Sequence, residues 1–537
     1  MKRKLFACIL GVACVAMTAC NSAGNGGDNP SSEGSVNQEQ AGQNNQANAV
    51  SPKDNPVSVR FEYEDETFKN SEGNEILYTS FVKPEVTIRD NPSATKKINA
   101  YFDAEEDKFE KAVEEYRTEA EEFYKNSGGA APYADYVDMD VQRMDANLIS
   151  FVKTEDVYLG GAHGSNIKSG ITFDTRTGEL LEWADLSDDG DGFYQMVKET
   201  IIRQAENHPN KDGYYHKTDT EEFAKTIEDV LNSDSWYFSK EGLVIVANPY
   251  FIGPYAAGSY YFTIPYKDLE GLKADYAYQG AYMQSVYYGQ VCEIDLNGDG
   301  SPEEIKSERQ VDEYGTTAIA FTINGKKMEL KVAYNDGEEV ALTGENNLEY
   351  YQIVDLDERD GTLQLAIGDY GPSDDPVTYF YDYKDGALVF LGYVEDLFEN
   401  STMEAYGDGI LSANMPVEMI ETVETNACYR LENGKITLME QEWYAIDYSH
   451  RQEDFLEHDV LKNVTVYKEK STASEKVILK AGEEEVRFPA ADNVEWIQVQ
   501  TEDGQIYYMH MADTLVIDSD GEKLDALDVF ENLVLAG

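Results

Sequence analysis

An acidic segment near the middle of the chain contains the residue types that bind hard cations. Counted from Asp295, side-chain oxygens occur at positions 1, 3, 5, 7 and 9, and Gly300 occupies position 6. The residues that carry these oxygens are Asp295, Asn297, Asp299, Ser301 and Glu303. Calcium prefers about six to eight oxygen ligands around a tight turn. The spacing predicts a structural calcium site, and the alternative is an Asx-type turn without a metal.

A second segment resembles the first and lies some 60 residues further along the chain. Residues 291–300 and 351–361 each read as a strand that runs into an acidic turn. An EF-hand would need glutamate at the twelfth loop position, where Lys306 stands, so the first loop is instead similar to the calcium loops of blade repeats. The second segment has an extra residue and no matching acid after Gly361, so we expect no calcium there.

Two glycine-containing segments are candidate ligand-binding loops. The first is Gly160-Gly161-Ala162-His163-Gly164, and the second is the aromatic run from Phe251 to Tyr266. Glycines allow tight, exposed turns, where binding residues often occur. The predicted ligand-binding residues are Gly160, Gly161, His163, Gly164, Tyr255 and Gly258. The alternative is that the glycines only hold the fold and that His163 is a structural hydrogen-bonding residue.

No catalytic constellation is evident in the sequence. The six histidines lack the His-x-x-x-His spacing of a metal-dependent deacetylase, and there is no H-E-x-x-H, G-x-S-x-G or phosphate-loop motif. We therefore predict no catalytic residues and a non-enzymatic protein. A glycan hydrolase that uses only carboxylates stays open, because no pair can be selected among 103 acidic residues.

The N-terminal residues have the pattern of a bacterial lipoprotein leader. Three basic residues precede a short apolar run, and Met17-Thr18-Ala19-Cys20 ends it. This pattern predicts a leader over residues 1–20 and lipidation of Cys20, and hence a cell-membrane anchor on the extracytoplasmic side. The alternative is an ordinary cleaved signal. Residues 21–56 lack aromatic residues and predict a disordered linker.

The chain of 537 residues is strongly acidic, with 103 Asp and Glu against 43 Lys and Arg and a formal charge of -60. This charge disfavours nucleic acid as a partner and favours cationic proteins and metal ions. The alternative is that the charge only keeps the protein soluble. Outside the leader the cysteines are Cys292 and Cys428, which we expect to be buried free thiols rather than a disulfide.

The periodicity of apolar residues predicts three folded regions. Residues 57–269 combine strands with a long helix that begins near Asn91-Pro92-Ser93, and this pattern predicts an α+β domain. Residues 286–450 predict a β-rich, degenerate blade-type region that includes the calcium loop. Residues 462–513 predict a small β-barrel of short strands.

The two glycine-containing segments, at their separation and after a strand-helix region, resemble the extracytoplasmic domain shared by the anti-sigma factor RsiV and the peptidoglycan deacetylase PdaC. The resemblance covers residues 57–269 and implies, from the RsiV branch, binding of lysozyme, a basic protein. The 462–513 region resembles a bacterial Src-homology-3-like barrel, which implies binding of cell-wall peptide. Tyr507-Tyr508 replaces the Gly-Trp pair usual after the turn Asp503-Gly504, and this change affects the binding expectation more than the fold expectation.

These observations together predict a non-enzymatic surface lipoprotein that binds a cationic protein such as lysozyme, as a receptor or inhibitor. One alternative is a cell-envelope protein that binds peptidoglycan. The other is a carboxylate-dependent glycan hydrolase.

Overall fold

The structure is a computed structural model that describes residues 55–127, 132–208, 210–311, 317–333, 339–342, 348–371, 375–399, 402–448, 456–512 and 514–534. The predicted leader, Cys20 and nearly all of the predicted linker therefore lie outside the described residues. Among the described helices, none is long and apolar enough to cross a membrane.

The first unit contains two sheets and three helices. Its elements are β1 (Val57–Lys69), β2 (Glu75–Ile88), α1 (Pro92–Ser127), β3 (Tyr133–Met144), β4 (Leu148–Tyr158), β5 (Ser165–Asp174), α2 (Gly190–Glu206), α3 (Glu221–Leu231), β6 (Trp236–Phe238), β7 (Gly242–Ala247) and β8 (Tyr260–Pro265). The predicted long helix is confirmed as α1, and the predicted α+β character is confirmed by the whole set.

The first sheet has the strand order β1-β2-β3-β4-β5, and β2 and β3 pair in parallel. A parallel pair needs a crossover connection, and α1 is that crossover. The apolar face of α1 packs on the sheet, where the Phe102 ring meets Phe151 at 5.1 Å and Phe173 at 5.9 Å between centroids. The second sheet, β6-β7-β8, packs against α2 and α3 in a separate core that includes Phe193, Phe223 and Phe262.

The second unit is built from antiparallel strands. Its elements are β9 (Met283–Tyr287), β10 (Val291–Ile294), β11 (Glu303–Val311), β12 (Thr317–Ile323), β13 (Lys326–Lys327), β14 (Lys331–Ala333), β15 (Glu339–Ala341), β16 (Tyr350–Val354), β17 (Gln364–Asp369), β18 (Val377–Lys384), β19 (Ala387–Val394), β20 (Glu404–Ala405), β21 (Ile410–Glu418), β22 (Thr422–Glu432), β23 (Lys435–Leu438) and β24 (Tyr444–Asp447). One sheet has the order β10-β11-β12-β13 and another has the order β19-β18-β17-β16-β9.

The third unit is also mostly β. Its elements are β25 (His458–Asp459), β26 (Val464–Tyr467), β27 (Lys476–Leu479), β28 (Glu485–Arg487), β29 (Ala490–Ala491), β30 (Trp496–Thr501), β31 (Ile506–Ala512), β32 (Leu515–Ile517), β33 (Lys523–Asp525) and α4 (Ala526–Val529). Strand β24 pairs with both β22 and β29, so one continuous sheet joins the second and third units. The core of the third unit includes Val417 and Val423 from the second unit and Phe530 near the C-terminus.

The two cysteines of the folded part confirm their prediction. Cys292 and Cys428 are both buried free thiols. Burial raises the pKa of each thiol to about 11, so both are protonated and unreactive near neutral pH.

Candidate binding site

The structure brings the two glycine-containing loops into contact, although they are some 90 residues apart in sequence. The His163 ring, from the loop between β4 and β5, stacks on the Tyr255 ring, from the loop between β7 and β8, with centroids 4.1 Å apart and planes inclined by 16°. The Tyr250 ring lies 5.9 Å from Tyr255. His163 and Tyr250 are exposed and Tyr255 is half-buried, so the three rings form one surface, here called the aromatic cluster.

Hydrogen bonds fix the orientation of the histidine in the aromatic cluster. His163 Nδ1 lies 2.7 Å from the carbonyl oxygen of Gly164, and His163 Nε2 lies 3.3 Å from the hydroxyl of Tyr250. A carbonyl oxygen can only accept, so Nδ1 carries the proton in the neutral ring and Nε2 accepts from Tyr250. The outer faces of the rings stay available to a ligand.

A buried asparagine holds the two loops side by side. The Asn248 amide, at the end of β7, donates to the Lys168 carbonyl at 2.7 Å and accepts from the Lys168 N–H at 2.8 Å. Its side chain thus takes the place of a strand partner for β5. The close approach of β6 to β5 also requires Gly170 on β5, because a Cβ there would lie 1.7 Å from the Trp236 carbonyl oxygen on β6.

Positive backbone angles shape both loops. Gly160 has φ +83°, and a Cβ there would lie 2.8 Å from the Phe123 ring on α1. Gly161 and Gly258 also have positive φ, but space around them is open. Gly164 has a different constraint, since a Cβ there would lie 2.7 Å from the Val157 carbonyl oxygen. The glycines therefore shape the loops, and the ring side chains are the groups that a ligand would meet.

Sequence reasoning missed Tyr250. Its ring is 58 % exposed and its φ is +72°, a conformation that is strained for a bulky residue. The neighbouring Asn248 and Pro249 indicate a turn, but neither the left-handed angle nor the contact with His163 can be read from the sequence.

The aromatic cluster adjoins a strongly acidic helix. Phe123 in the last turns of α1 packs against Gly160, which places the C-terminal half of α1 beside the loop. Exposed carboxylates follow the outer surface of that helix; they are Asp107, Glu110, Glu114, Glu115, Glu119 and Glu122. Aromatic rings next to a carboxylate-rich helix are suited to a basic protein surface.

The predicted calcium loop adopts a tight turn in which its acids accept backbone hydrogen bonds. Asp295 accepts from the N–H groups of Gly298 and Gly300, at 2.9 and 2.8 Å. Glu303 is buried and accepts from the Leu296 N–H at 2.9 Å and from the Asn297 amide at 3.1 Å. The Ser301 N–H donates to Asp299 at 2.8 Å. In the ranges that the structure describes, no three His, Cys, Asp or Glu side chains are gathered as a metal site.

The second acidic turn lies against the first. A Cβ on Gly298 would be 2.4 Å from the Gly361 carbonyl oxygen, and the Leu363 N–H donates to the Leu296 carbonyl at 2.8 Å. The Leu356 N–H donates to the Gln364 side chain at 2.9 Å, as the Leu296 N–H does to Glu303. The two segments are thus similar in structure as well as in sequence, and Gln364 takes the place of the buried Glu303.

These features define the class of the protein, a multidomain, mostly β protein with an α+β domain in its N-terminal region. Residues 70–166 match the family model described as deacetylase PdaC, and residues 184–267 match DUF3298, described as a protein of unknown function. The resemblance to the domain shared by RsiV and PdaC is confirmed. His163 lies in the first matched segment, whereas Tyr250 and Tyr255 lie in the second.

Two solved structures are similar to this chain. A DUF3298 family member from Bacteroides fragilis NCTC 9343 is 20% identical, with 41% of this chain and 94% of that chain covered and a TM-score of 0.32. A DUF3298 family protein from Pseudomonas aeruginosa PAO1 is 16% identical, with 41% and 96% covered and a TM-score of 0.28. No curated protein matches the chain.

Proposed function

We propose that this chain is a non-enzymatic, lipid-anchored surface protein whose α+β domain binds a cationic protein such as lysozyme. The observation that carries the proposal is the convergence of His163, Tyr250 and Tyr255 into an exposed aromatic cluster beside the acidic helix α1. Tyrosine is enriched among the residues that dominate binding energy at protein interfaces. The carboxylates would speed the encounter with a basic partner and orient it.

The test is titration calorimetry of the chain from Asn21 onward against lysozyme, at about 0.15 M and about 1 M salt, where the screening length falls from about 8 to about 3 Å. We expect one-to-one binding that weakens but persists at high salt, because ring contacts are not screened. We expect Tyr255→Ala to weaken binding by about 10-fold or more.

Tyr63→Ala is the matched control, since Tyr63 is also an exposed tyrosine of the first unit, at 45 % exposure, but lies on β1 outside the aromatic cluster. It should leave the affinity within about twofold. Binding that vanishes at high salt, or that both variants weaken equally, would reduce the interaction to general charge attraction.

Peptidoglycan binding is the second candidate, and an aromatic pair where the second and third units meet favours it. The rings of Trp443 and Tyr508 lie 5.5 Å apart, with Lys470 Nζ 4.6 Å from the Trp443 ring centroid. Trp443 and Tyr508 are partly exposed. An Src-homology-3-like barrel at 462–513 would contribute Tyr508 to a peptide-binding face, and Trp443 would join it from the second unit. Sedimentation with insoluble peptidoglycan at high salt, with and without Trp443→Ala, tests this candidate.

Calcium binding by a blade-type second unit is a further part of the proposal. The donor set at Asp295, Asn297, Asp299, Ser301 and Glu303 has the hard oxygens that calcium prefers. Asp295 Oδ1 accepts from the N–H groups of both Gly298 and Asp299. Asp295 Oδ2, Asp299 Oδ1 and both Glu303 oxygens accept one donor each and retain a second lone pair. Gathering these oxygens around one ion requires side-chain rotations in the loop, and calcium would then cross-link its turns.

A further inference from the structure

A cleft of about 470 Å³ lies between the first and second units, away from the aromatic cluster. Tyr237 and Tyr261 line it from the second sheet of the first unit, and Tyr287 and Tyr350 line it from the second unit. The Tyr287 and Tyr350 rings meet edge to face with centroids 5.7 Å apart. The volume falls within the range of about 300–1,000 Å³ that is usual for small-ligand sites.

Side-chain amides are unusually frequent in the lining of this cleft. The residues that contribute them are Gln142, Gln204, Asn207, Gln284, Gln290 and Gln352. Gln204 donates to the Thr263 carbonyl at 2.8 Å, and Gln284 accepts from the Tyr282 hydroxyl at 2.7 Å. Gln142 and Gln290 have no side-chain hydrogen bond within the part of the chain that the structure describes. Each can therefore offer both donors and an acceptor to a ligand.

The charged residues of the lining have partners within the protein. Glu241 accepts from the Ser285 N–H at 2.9 Å and from the Ser285 hydroxyl, and Lys240 donates to the Met403 carbonyl at 2.6 Å. Glu399 accepts from the hydroxyls of Tyr350 and Tyr370. The acids Glu241 and Glu399 are matched in number by the bases Lys240 and Arg203, so the lining carries no net formal charge and favours a neutral ligand over an ionic one.

We propose that this cleft binds a neutral oligosaccharide. Vicinal sugar hydroxyls each donate and accept, and planar amides such as Gln142 and Gln290 match that pattern. The apolar C–H face of a sugar ring can lie on a tyrosine ring while the tyrosine hydroxyl stays wet. Because the two pairs of tyrosines belong to different units, the site depends on the interface between the first and second units.

The test is calorimetric titration of the chain from Asn21 onward with two probes, chitotetraose and cellotetraose, each up to about 10 mM. We expect at least one probe to bind with a dissociation constant below about 1 mM. The double variant Gln142→Ala, Gln290→Ala should weaken binding by about 10-fold. Tyr261→Ala, which removes one ring of the lining, should weaken it at least as much.

Gln310→Ala with Gln505→Ala is the matched control, since both are exposed glutamines outside the cleft, and it should leave the affinity unchanged. The Gln142 and Gln290 variant should also leave lysozyme binding unchanged, so failure of this inference is distinguishable from failure of the proposed function. No binding of either probe, or binding that both glutamine variants affect equally, would overturn the proposal.

Discussion

His163 shows how much the role of one residue depends on its neighbours. The sequence presents a single histidine among three glycines, and such a histidine is more often a structural hydrogen-bonding residue than a functional one. In the structure its ring has a structural role, because it stacks on Tyr255 and accepts from Tyr250, and it stays exposed where the proposed ligand would meet it. Sequence reasoning selected His163 and Tyr255 but could not pair them.

Asp135 is a residue whose environment predicts a pH dependence of stability. It lies on β3 with 3 % exposure, and its Oδ1 has no hydrogen-bond partner among the described residues. Burial, and to a lesser extent the charge of Glu155, raises the pKa of Asp135 to about 6. The folded state therefore binds the proton more tightly than the unfolded chain, and the free energy of unfolding should rise as the pH falls from 7 towards 4.

We expect Asp135→Asn to raise the free energy of unfolding at pH 7 by about 1–2 kcal/mol and to reduce its pH dependence between about pH 4 and 7. Urea unfolding at pH 7 and pH 5 measures both effects. Some dependence should remain, because burial also raises the pKa of Asp355 to about 6. Asp138→Asn, at an exposed position of the same strand, is the control; an equal gain there would refute the assignment.

At the scale of elements, the loop between β4 and β5 is held by its contact with α1. Gly160 and Gly161 both have positive φ, but only at Gly160 would a Cβ meet the Phe123 ring. Gly161→Ala should therefore cost about 1–2 kcal/mol of stability, from backbone strain alone. Gly160→Ala should cost about 1–3 kcal/mol more, because Phe123 must move. Denaturant midpoints measure the difference, and equal losses would show that α1 does not support the loop.

The acidic turn after β10 carries the calcium prediction. If the loop binds calcium, about 100-fold excess over the dissociation constant should raise the free energy of unfolding by about 2–3 kcal/mol. Asp299→Asn should reduce this gain, since it removes a charged ligand. Thermal unfolding with calcium and with a chelator measures it. Asp360→Asn, in the adjacent second turn, is the control and should keep the full gain. If calcium does not change the unfolding of the wild-type chain, the loop is an Asx-type turn without a metal.

At the scale of the whole molecule, the predicted lipid anchor would hold the proposed binding surfaces at the membrane. We expect Cys20→Ser to move the chain from the membrane fraction to the soluble fraction and to abolish incorporation of labelled palmitate, because no acyl chain could then be attached. Cys14→Ser, within the same leader, should change neither result. A wild-type chain that is already soluble and unlabelled would favour the ordinary cleaved signal.

The sequence alone determined the local elements. The recurrence of apolar residues between Ile98 and Phe123 is sufficient to predict α1, because helix periodicity depends only on neighbours along the chain. The acidic turns after β10 and β16 could be recognised for the same reason, and two loops that carry the aromatic cluster were identified by their glycines. The contribution of Tyr250 to this cluster could not be predicted from the sequence.

Only the tertiary structure decided which of these parts meet. His163 contacts Tyr255 because Asn248, at the end of β7, hydrogen-bonds to β5, and because Gly170 allows β6 to lie close to β5. The tyrosine-lined cleft exists only because the second unit packs against β7 and β8. Such contacts join residues that are far apart in sequence, and the packing of complementary surfaces sets them. The local periodicity of apolar residues does not predict that packing.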